Sequence, residues 1–331
     1  MSPTPARLLT IITPPTQPGE HCGLSDHAAC LATELSRGGW QVTIATPATL
    51  KQGPSTPLLL QFTPLSYSRI GLPLPLLIDL LIWRWLGRGR GHAVLVFFHE
   101  VPFLNRSGWK GRLVMPLQCL LCMLLAAVAT DVLINQPAAI TWLGVLRFRR
   151  APQFLPCWSN VGEAPAAPAP LDRPLVVAVF GSWGKRRHAH QLVDALGGYR
   201  LLFGDDVRVL DIGEPGPLPA ALRGEVTVTG SQPEAEVHRL LLGARFGWFY
   251  AEPDQVCKSG VFAAYCALGV VPILAFPGAR PADQYLAPAE LPLQTITTER
   301  LQTLWQQGRA WLEHHSLARG TARIEQLLQP C

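Results

Sequence analysis

Short apolar runs alternate along the chain with longer segments in which apolar residues recur at helical spacing. Strands buried on both faces of a parallel sheet have near-continuous apolar sequences, whereas a helix packed on such a sheet is apolar on one side only. The strand-like runs are 7–13, 40–45, 58–62, 93–98, 132–134, 175–180, 207–212, 225–228, 247–250 and 270–276. This alternation predicts repeated βα units and therefore an α/β fold with parallel sheets.

The pattern is interrupted over 152–174, where Pro and Ala are frequent and no helical period is present. A chain of 331 residues is long enough for two domains of ordinary size. We therefore predict two Rossmann-like α/β domains, an N-terminal one over 1–155 and a C-terminal one over 175–331, with a linker over 156–174 between them.

Charge and cysteine content exclude several classes. The chain has 28 basic and 23 acidic residues, and a formal charge of +5 is too small to indicate nucleic-acid binding. Its eight cysteines show no spacing typical of a disulfide framework, which favours reduced thiols and a cytoplasmic location. Cys119 and Cys122 form a single C-x-x-C pair in an apolar run, so we interpret them as core residues and predict no metal site. The apolar run 8–12 is too short for a signal peptide.

Two apolar helical segments lie in the N-terminal half. The first, 113–129, approaches the length of a membrane span, but Pro116, Gln118 and the strand-like run after it favour a buried helix of a soluble domain. The second, 72–90, ends in Arg84, Arg88 and Arg90 and places Leu76, Leu80 and Trp83 on one helical face. Such a helix either packs into the first domain or lies on an anionic membrane surface, as a peripheral protein of the inner membrane face would.

Two loops of the C-terminal half have the chemistry of an anion site. In 247–276 the order is strand, loop, helix, strand, and Ser259 is suited to cap the helix. Lys258 precedes the cap, where a lysine is mildly unfavourable unless an anion binds at the helix N-terminus. The alternative is a solvated lysine. The run 175–180 opens into a second loop, Gly181 to Arg186, that joins glycines to basic residues at a helix start. The presence of two such loops in one domain favours the same class of ligand for both, an anion.

These motifs resemble a known superfamily. The segment 247–276, with Lys-Ser-Gly followed by Ala-Ala-x-x-Ala-x-Gly, resembles the donor-nucleotide half of GT-B glycosyltransferases. The sequence 22–46, CGLSDHAACLATELSRGGWQVTIAT, resembles their opening signature, and 156–161 resembles their hinge. The resemblance implies two Rossmann-like domains facing each other across a cleft, with the terminal helix crossing back to the first. The chain departs from it at Val256 and Ala264, where many retaining members carry a Glu-x7-Glu pair.

The resemblance implies transfer of a sugar from a nucleotide-sugar donor to a carbohydrate or lipid-linked acceptor, with no cofactor and no metal ion. His99 and Glu100 end a purely apolar strand and, with Asp26 of the first loop, are the candidate catalytic residues, since inverting members need a base that takes the acceptor proton. The implied donor-binding residues are Gly23, Gly181, Ser182, Lys185, Arg186, Gly230, Lys258, Ser259 and Gly260.

Two alternatives from other classes stay open. One is a non-catalytic homologue that binds a nucleotide or a sugar, which the missing Glu pair favours. The other is a scaffold in a membrane-bound assembly, which the apolar N-terminal half favours. The donor sugar, the base, the acceptor and the stereochemical outcome are not fixed by the sequence.

Overall fold

The fold is described from a computed structural model of the chain, over residues 7–15, 23–86, 89, 91–102, 108–144 and 151–329. The chain divides into two compact units, the first formed by 1–156 and 317–331 and the second by 157–316. Each unit is built on one parallel sheet, so the predicted α/β class is confirmed.

In the described residues of the first unit there are six strands, of which the central ones have apolar sequences and are buried. They are β1 Arg7–Ile12, β2 Trp40–Ala45, β3 Leu58–Phe62, β4 Val94–Phe98, β5 Asp131–Ile134 and β6 Gln153–Phe154. Their order in the sheet is β2-β1-β3-β4-β5-β6. All residues of β3 and β4 are buried, because these central strands are covered on both faces.

Helices cover this first sheet. They are α1 Gly23–Arg37, α2 Ala48–Lys51, α3 Pro64–Tyr67, α4 Leu74–Trp85, α5 Gly108–Val128, α6 Pro137–Gly144 and, from the end of the chain, α12 Leu317–Leu328. The side of α1 with Ala28, Leu31 and Leu35 is buried, as its helical period predicts. The last helix packs against α1, and Glu325 Oε1 accepts a hydrogen bond from Trp40 Nε1 at 2.7 Å.

The second unit contains five strands and five α-helices. These are β7 Val176–Phe180, β8 Arg208–Ile212, β9 Val226–Gly230, β10 Phe246–Phe249 and β11 Val271–Leu274, with α7 Trp183–Ala195, α8 Tyr199–Phe203, α9 Glu234–Leu242, α10 Gly260–Ala267 and α11 Thr298–His315. The sheet order is β11-β10-β7-β8-β9. Val176 and Ala178 of β7 pack with α9 and α10, whereas Val177 and Val179 pack with α7, α8 and α11 on the opposite face.

The predicted linker covers 156–174, and its residues 157–174 belong to the second unit. The guanidinium of Arg173 donates hydrogen bonds to the carbonyls of Ala244 at 2.9 Å and Leu268 at 2.7 Å. The amide of Cys157 donates to the carbonyl of Cys257 at 3.1 Å. These hydrogen bonds hold the segment on the rest of the second unit, and the bond of Cys157 satisfies a backbone amide that the segment does not pair within itself.

The structure shows how the two apolar helical segments pack, and for α4 it bears out the alternative of packing into the first unit. The face of α4 with Leu76, Leu80 and Trp83, considered above as a membrane face, is buried in the core of the first unit. By contrast, α5 is not buried throughout, since Leu117 on its outer side is exposed. Arg88 and Arg90 lie outside the described residues. None of the helices in the described part of the chain is both long enough and apolar enough to cross a membrane.

Candidate functional site

The sheet of the second unit reverses its strand order between β7 and β10. The chain starts at β7, adds β8 and β9 on one side, and then returns to add β10 and β11 on the other. The helices that follow β7 and β10 consequently lie on opposite faces of the sheet. The carboxyl ends of two adjacent strands at such a reversal open into a crevice, which is where open α/β sheets bind ligands.

The loop after β7 forms one wall of this crevice. Gly181 has φ +117°, a conformation that favours glycine, and a Cβ added there would lie 3.0 Å from Val261 Cγ2. Ser182 is the N-cap of α7 but makes no cap bond with its side chain, and it is exposed. Lys185 is also exposed and lies in the first turn of α7. The first turn of a helix presents backbone N–H groups that favour an anion.

Arg186 does not share this position, and its assignment to donor binding is corrected. Its side chain is buried and forms an ion pair with Asp211 of β8. Its guanidinium also donates to the carbonyls of Gly181, at 2.7 Å, and Glu214. Because its charge is compensated by Asp211 and its donors are used inside the fold, Arg186 holds the loop in place instead of neutralising a ligand.

The ion pair of Arg186 belongs to a buried polar network. His190, one turn further along α7, lies 2.5 Å from Asp211 through its Nε2, and the Tyr199 hydroxyl lies 3.1 Å from its Nδ1. Burial, and secondarily the charge of Arg186, lowers the pKa of His190 to about 4. His190 is therefore neutral near pH 7, and the network joins α7, β8 and α8 beneath the loop at Gly181.

The loop after β10 forms the other wall of the crevice. It contains a 3₁₀ turn, Pro253–Lys258, and Ser259 then caps α10 by accepting a hydrogen bond from the amide of Phe262 at 3.2 Å. The predicted cap is therefore confirmed. Lys258 is half-buried beside the cap, and Gly260 opens the helix.

Direct contacts join the two walls. The His188 ring of α7 stacks on Tyr250, which follows β10, with ring centroids 4.2 Å apart. The Tyr265 hydroxyl of α10 accepts a hydrogen bond from the amide of Phe180 at 3.2 Å. The loop that contains Gly181, Ser182 and Lys185 is thus joined to the segment after β10 that contains Lys258, Ser259 and Gly260. We call the two segments, 181–185 and 250–260, the crevice loops.

Gly230 lies apart from the crevice loops. It ends β9, which is separated from β7 by β8, and it has φ +75°. Its carbonyl accepts a hydrogen bond from the amide of Gly213 at 3.1 Å. A Cβ at this position would meet nothing within 4 Å, so the turn needs glycine for its backbone conformation and not for lack of space.

In the first unit, His99 lies in a buried polar cluster at the carboxyl end of β4. Its Nε2 lies 2.5 Å from Gln61 Oε1 and its Nδ1 lies 3.1 Å from Asn135 Nδ2. Since the amide oxygen of Gln61 accepts and the amide nitrogen of Asn135 donates, the arrangement corresponds to a neutral imidazole protonated on Nε2. The ring also stacks on Phe97, with centroids 4.3 Å apart.

A second imidazole, that of His27, which with Asp26 is one of the polar groups that the sequence predicts in the first loop, lies against His99. The centroid of His27 is 4.7 Å from that of His99, in an edge-on arrangement. Burial, followed by the neighbouring His99, lowers the pKa of His27 well below its ordinary value.

The sequence carries a signal for the two residues that hold His99. Both Gln61 and Asn135 are polar residues at or near the end of an apolar strand.

The other predicted site residues of the first unit are close in sequence to His27 or to His99. Glu100 follows His99 and is half-buried. Asp26 lies in the first turn of α1, directly before His27, and is also half-buried. Gly23 is the first residue of α1, and a Cβ there would meet nothing within 4 Å.

Comparison with known proteins decides the fold. No protein-family profile and no curated protein sequence matches the chain. Among solved structures, WaaG, a glycosyltransferase involved in lipopolysaccharide biosynthesis, is similar at TM-score 0.59 and 11% identity over 98% of this chain and 100% of that one. An E. coli structure described as trehalose-6-phosphate with UDP-2-fluoro glucose gives TM-score 0.59 and 10% identity, over 97% of this chain and 99% of that one. The lipopolysaccharide outer core galactosyltransferase WaaB gives TM-score 0.53 and 9% identity, over 97% of this chain and 98% of that one.

The chain has the GT-B glycosyltransferase fold. Within this GT-B chain, the two positions matched to the missing Glu pair are apolar and buried: Val256 in the 3₁₀ turn and Ala264 in α10. Glu252 and Asp254, the nearest carboxylates in sequence, are exposed on the crevice loop after β10. Any contact of this fold with a ribose would therefore need other groups than a carboxylate at those two positions.

Proposed function

We propose that the chain is a glycosyltransferase that takes its sugar from a nucleotide-sugar donor and binds the donor diphosphate at the crevice loops. The observation that supports the proposal is that α7 and α10, each with a lysine near its N-terminus, follow the two adjacent strands at the strand reversal, β7 and β10. Backbone N–H groups of α7 and α10 offer hydrogen bonds to phosphate oxygens, and Lys185 and Lys258 supply charge.

The chemistry follows from where negative charge develops. When the bond between sugar and diphosphate breaks, charge accumulates on the departing phosphate, and groups preorganised around it lower the barrier. Lys185, Lys258 and the two helix N-termini provide such groups without a bound metal ion. Activity that persists in the presence of a chelator would support this metal-independent scheme.

On the acceptor side, we propose that the end of β4 and the first turn of α1 supply the catalytic groups of the first unit. Glu100 and Asp26 offer carboxylates, and His99 offers an imidazole held by Gln61 and Asn135. Because both nitrogens of His99 are engaged, it can accept a proton only when its Nδ1 leaves Asn135. The arrangement thus favours a carboxylate as the base and His99 as the group that organises the strand end.

A second candidate function is a nucleotide- or sugar-binding homologue that has lost turnover. The buried Val256 and Ala264 favour it, because they replace two carboxylates that many retaining relatives carry. Release of nucleoside diphosphate from a nucleotide sugar would distinguish the two candidates, since only the enzyme breaks the sugar–phosphate bond.

The proposed setting is the cytoplasm, with a carbohydrate or lipid-linked acceptor. Six of the eight cysteines lie in the described residues, and they carry thiols in place of disulfides. Thiols of this kind are maintained in reducing compartments. Burial raises the pKa of the Cys122 thiol above its ordinary value, which makes this residue an inert part of the core.

Calorimetric titration of the purified protein with UDP, GDP and ADP tests the diphosphate site. At least one of them should bind, and the double variant Lys185→Ala/Lys258→Ala should bind it more than tenfold more weakly, because each lysine contributes a charge-assisted contact. The matched control is Lys51→Ala, an exposed lysine of the first unit. Unchanged affinity in the double variant would refute the assignment of the diphosphate to the crevice loops.

A further inference from the structure

Large apolar side chains are exposed on the outer side of two neighbouring helices of the first unit. On α4 these include Ile78, Ile82 and Trp85, and on α5 they include Leu117, Leu120 and Leu124. Their exposed fractions range from 44% to 57%. We call these six residues the apolar face. Contiguous exposed apolar surface of this kind marks sites of interaction with a protein or a membrane.

The two helices expose these residues on the same outer surface of the first unit. Their inner sides, with Leu80 and Trp83 of α4 and Leu121 and Leu125 of α5, belong to the same core cluster. The helices also pack against each other. Since both cover the same face of the sheet, their outer sides face away from it together, and the apolar face continues from one helix to the next.

The sequence that contains both helices has a strong excess of basic residues. The segment 64–128, which includes both helices, contains seven basic and two acidic residues, so it alone carries the formal charge of +5 of the whole chain. The rest of the chain is balanced, with 21 basic and 21 acidic residues. Of the two acidic residues in the segment, Asp79 forms an ion pair with Lys51.

The two ends of α4 carry residues expected at a lipid headgroup boundary. The guanidinium of Arg84 lies 6.0 Å from the ring of the exposed Trp85 at the end of α4. Arg69, which precedes α4, is exposed. Tryptophan and basic residues at the rim of an apolar surface are typical of contact with membrane interfaces, where the ring and the charge lie at headgroup level.

We propose that the apolar face docks the protein on the surface of an anionic lipid bilayer, with α4 and α5 lying in the plane of the interface. Apolar burial and attraction between basic side chains and anionic headgroups both contribute to such binding. The excess of positive charge in this one segment favours an anionic bilayer over a second copy of the chain, because two such surfaces would repel each other.

Vesicle flotation of the full chain at low salt tests the proposal, using phosphatidylcholine vesicles with and without phosphatidylglycerol. The wild type should float with the anionic vesicles and stay behind with the neutral ones. The variant Ile78→Gln/Ile82→Gln/Leu117→Gln should partition about tenfold or more weakly, because it removes apolar area from the contact. Arg69→Gln should weaken binding about fivefold, and salt should weaken it further.

The matched control is Ile44→Gln/Leu171→Gln/Leu201→Gln, which changes three exposed apolar residues outside the apolar face and should bind like the wild type. Binding that is absent, equal on neutral vesicles, or unaffected by the triple variant of the apolar face would overturn the proposal. Sedimentation velocity adds one further arm. A wild-type dimer that the triple variant converts to a monomer, with no vesicle binding, would make a second copy the occupant instead. None of these assays depends on glycosyl transfer.

Discussion

The ion pair between Arg186 and Asp211 gives a quantitative test of how the fold holds the loop after β7. Both side chains are buried, and the carboxylate lies between the guanidinium and His190. In Asp211→Asn the shape is retained but Arg186 becomes a buried cation without a counter-ion. Removing one partner of a buried pair costs about 3–5 kcal/mol. Since a domain is stable by only about 5–15 kcal/mol, roughly a fifth or more of the stability of the second unit should be lost.

Urea denaturation followed by tryptophan fluorescence measures this loss, since Trp183 and Trp248 report on the second unit. Arg186→Met should cost a similar amount, because it leaves the carboxylate of Asp211 without its main partner. The double variant Arg186→Met/Asp211→Asn should lose less than the sum of the two single losses, by on the order of 2 kcal/mol, because it leaves no unpaired charge.

The control for this measurement is a surface ion pair. Glu236→Gln breaks the exposed pair between Glu236 and Arg239 of α9 and should leave the denaturation midpoint unchanged. If Asp211→Asn unfolded at the wild-type urea concentration, Arg186 would be solvated, and the correction of its role from ligand contact to loop support would fail.

Three further predictions concern the two units. The pKa of His190 is about 4 in the folded state against 6.5 in an unfolded chain. The contribution of His190 to the free energy of unfolding is therefore fully present above pH 6.5 and is lost as the pH falls toward 4, by up to about 3 kcal/mol. In urea titrations at several pH values, His190→Gln should flatten this dependence, whereas His314→Gln, at an exposed histidine, should not. Gly181→Val should weaken nucleotide binding at least tenfold in calorimetry. The backbone of Gly181 has φ +117°, which disfavours a branched residue, and the Cβ of the introduced valine would press on Val261. Wild-type affinity of this variant would show that the loop tolerates a side chain. His99→Ala should abolish most sugar transfer while nucleotide affinity stays within about twofold, since His99 and the crevice loops belong to different units; transfer at the wild-type rate would make His99 a purely structural residue.

Much of the fold follows from local sequence patterns. The apolar runs predict the strands because a parallel sheet covered on both faces needs apolar residues at consecutive positions. Ser259 predicts its cap because the hydroxyl can satisfy a backbone amide within the same turn, as its bond to Phe262 shows. Gly269 closes α10 with φ +66°, the left-handed conformation expected of a glycine there. These features depend on neighbours in sequence.

The errors of prediction arise where the partner is distant in sequence. Arg186 was assigned to the ligand as one basic residue among several, although it shares a helical stripe with the buried Ala189, His190 and Val193. Its partner Asp211 is the one acidic residue of β8 and is buried, and an acidic residue inside an otherwise apolar run is the signal that could have paired them. For α4 the helical period could not decide, because both sides of the helix are apolar, and only packing on the sheet shows which side is buried.

Hydrogen–deuterium exchange of the full chain, with and without a saturating nucleoside diphosphate, tests the central claim most directly. Ligand binding stabilises the backbone amides that it contacts, so it slows their exchange. With whichever of UDP, GDP and ADP binds, protection should appear in both crevice loops, 181–185 and 250–260, and extend into the first turns of α7 and α10. Absence of protection with all three nucleotides, or protection confined to other segments of the chain, would contradict a donor site at the strand reversal between β7 and β10.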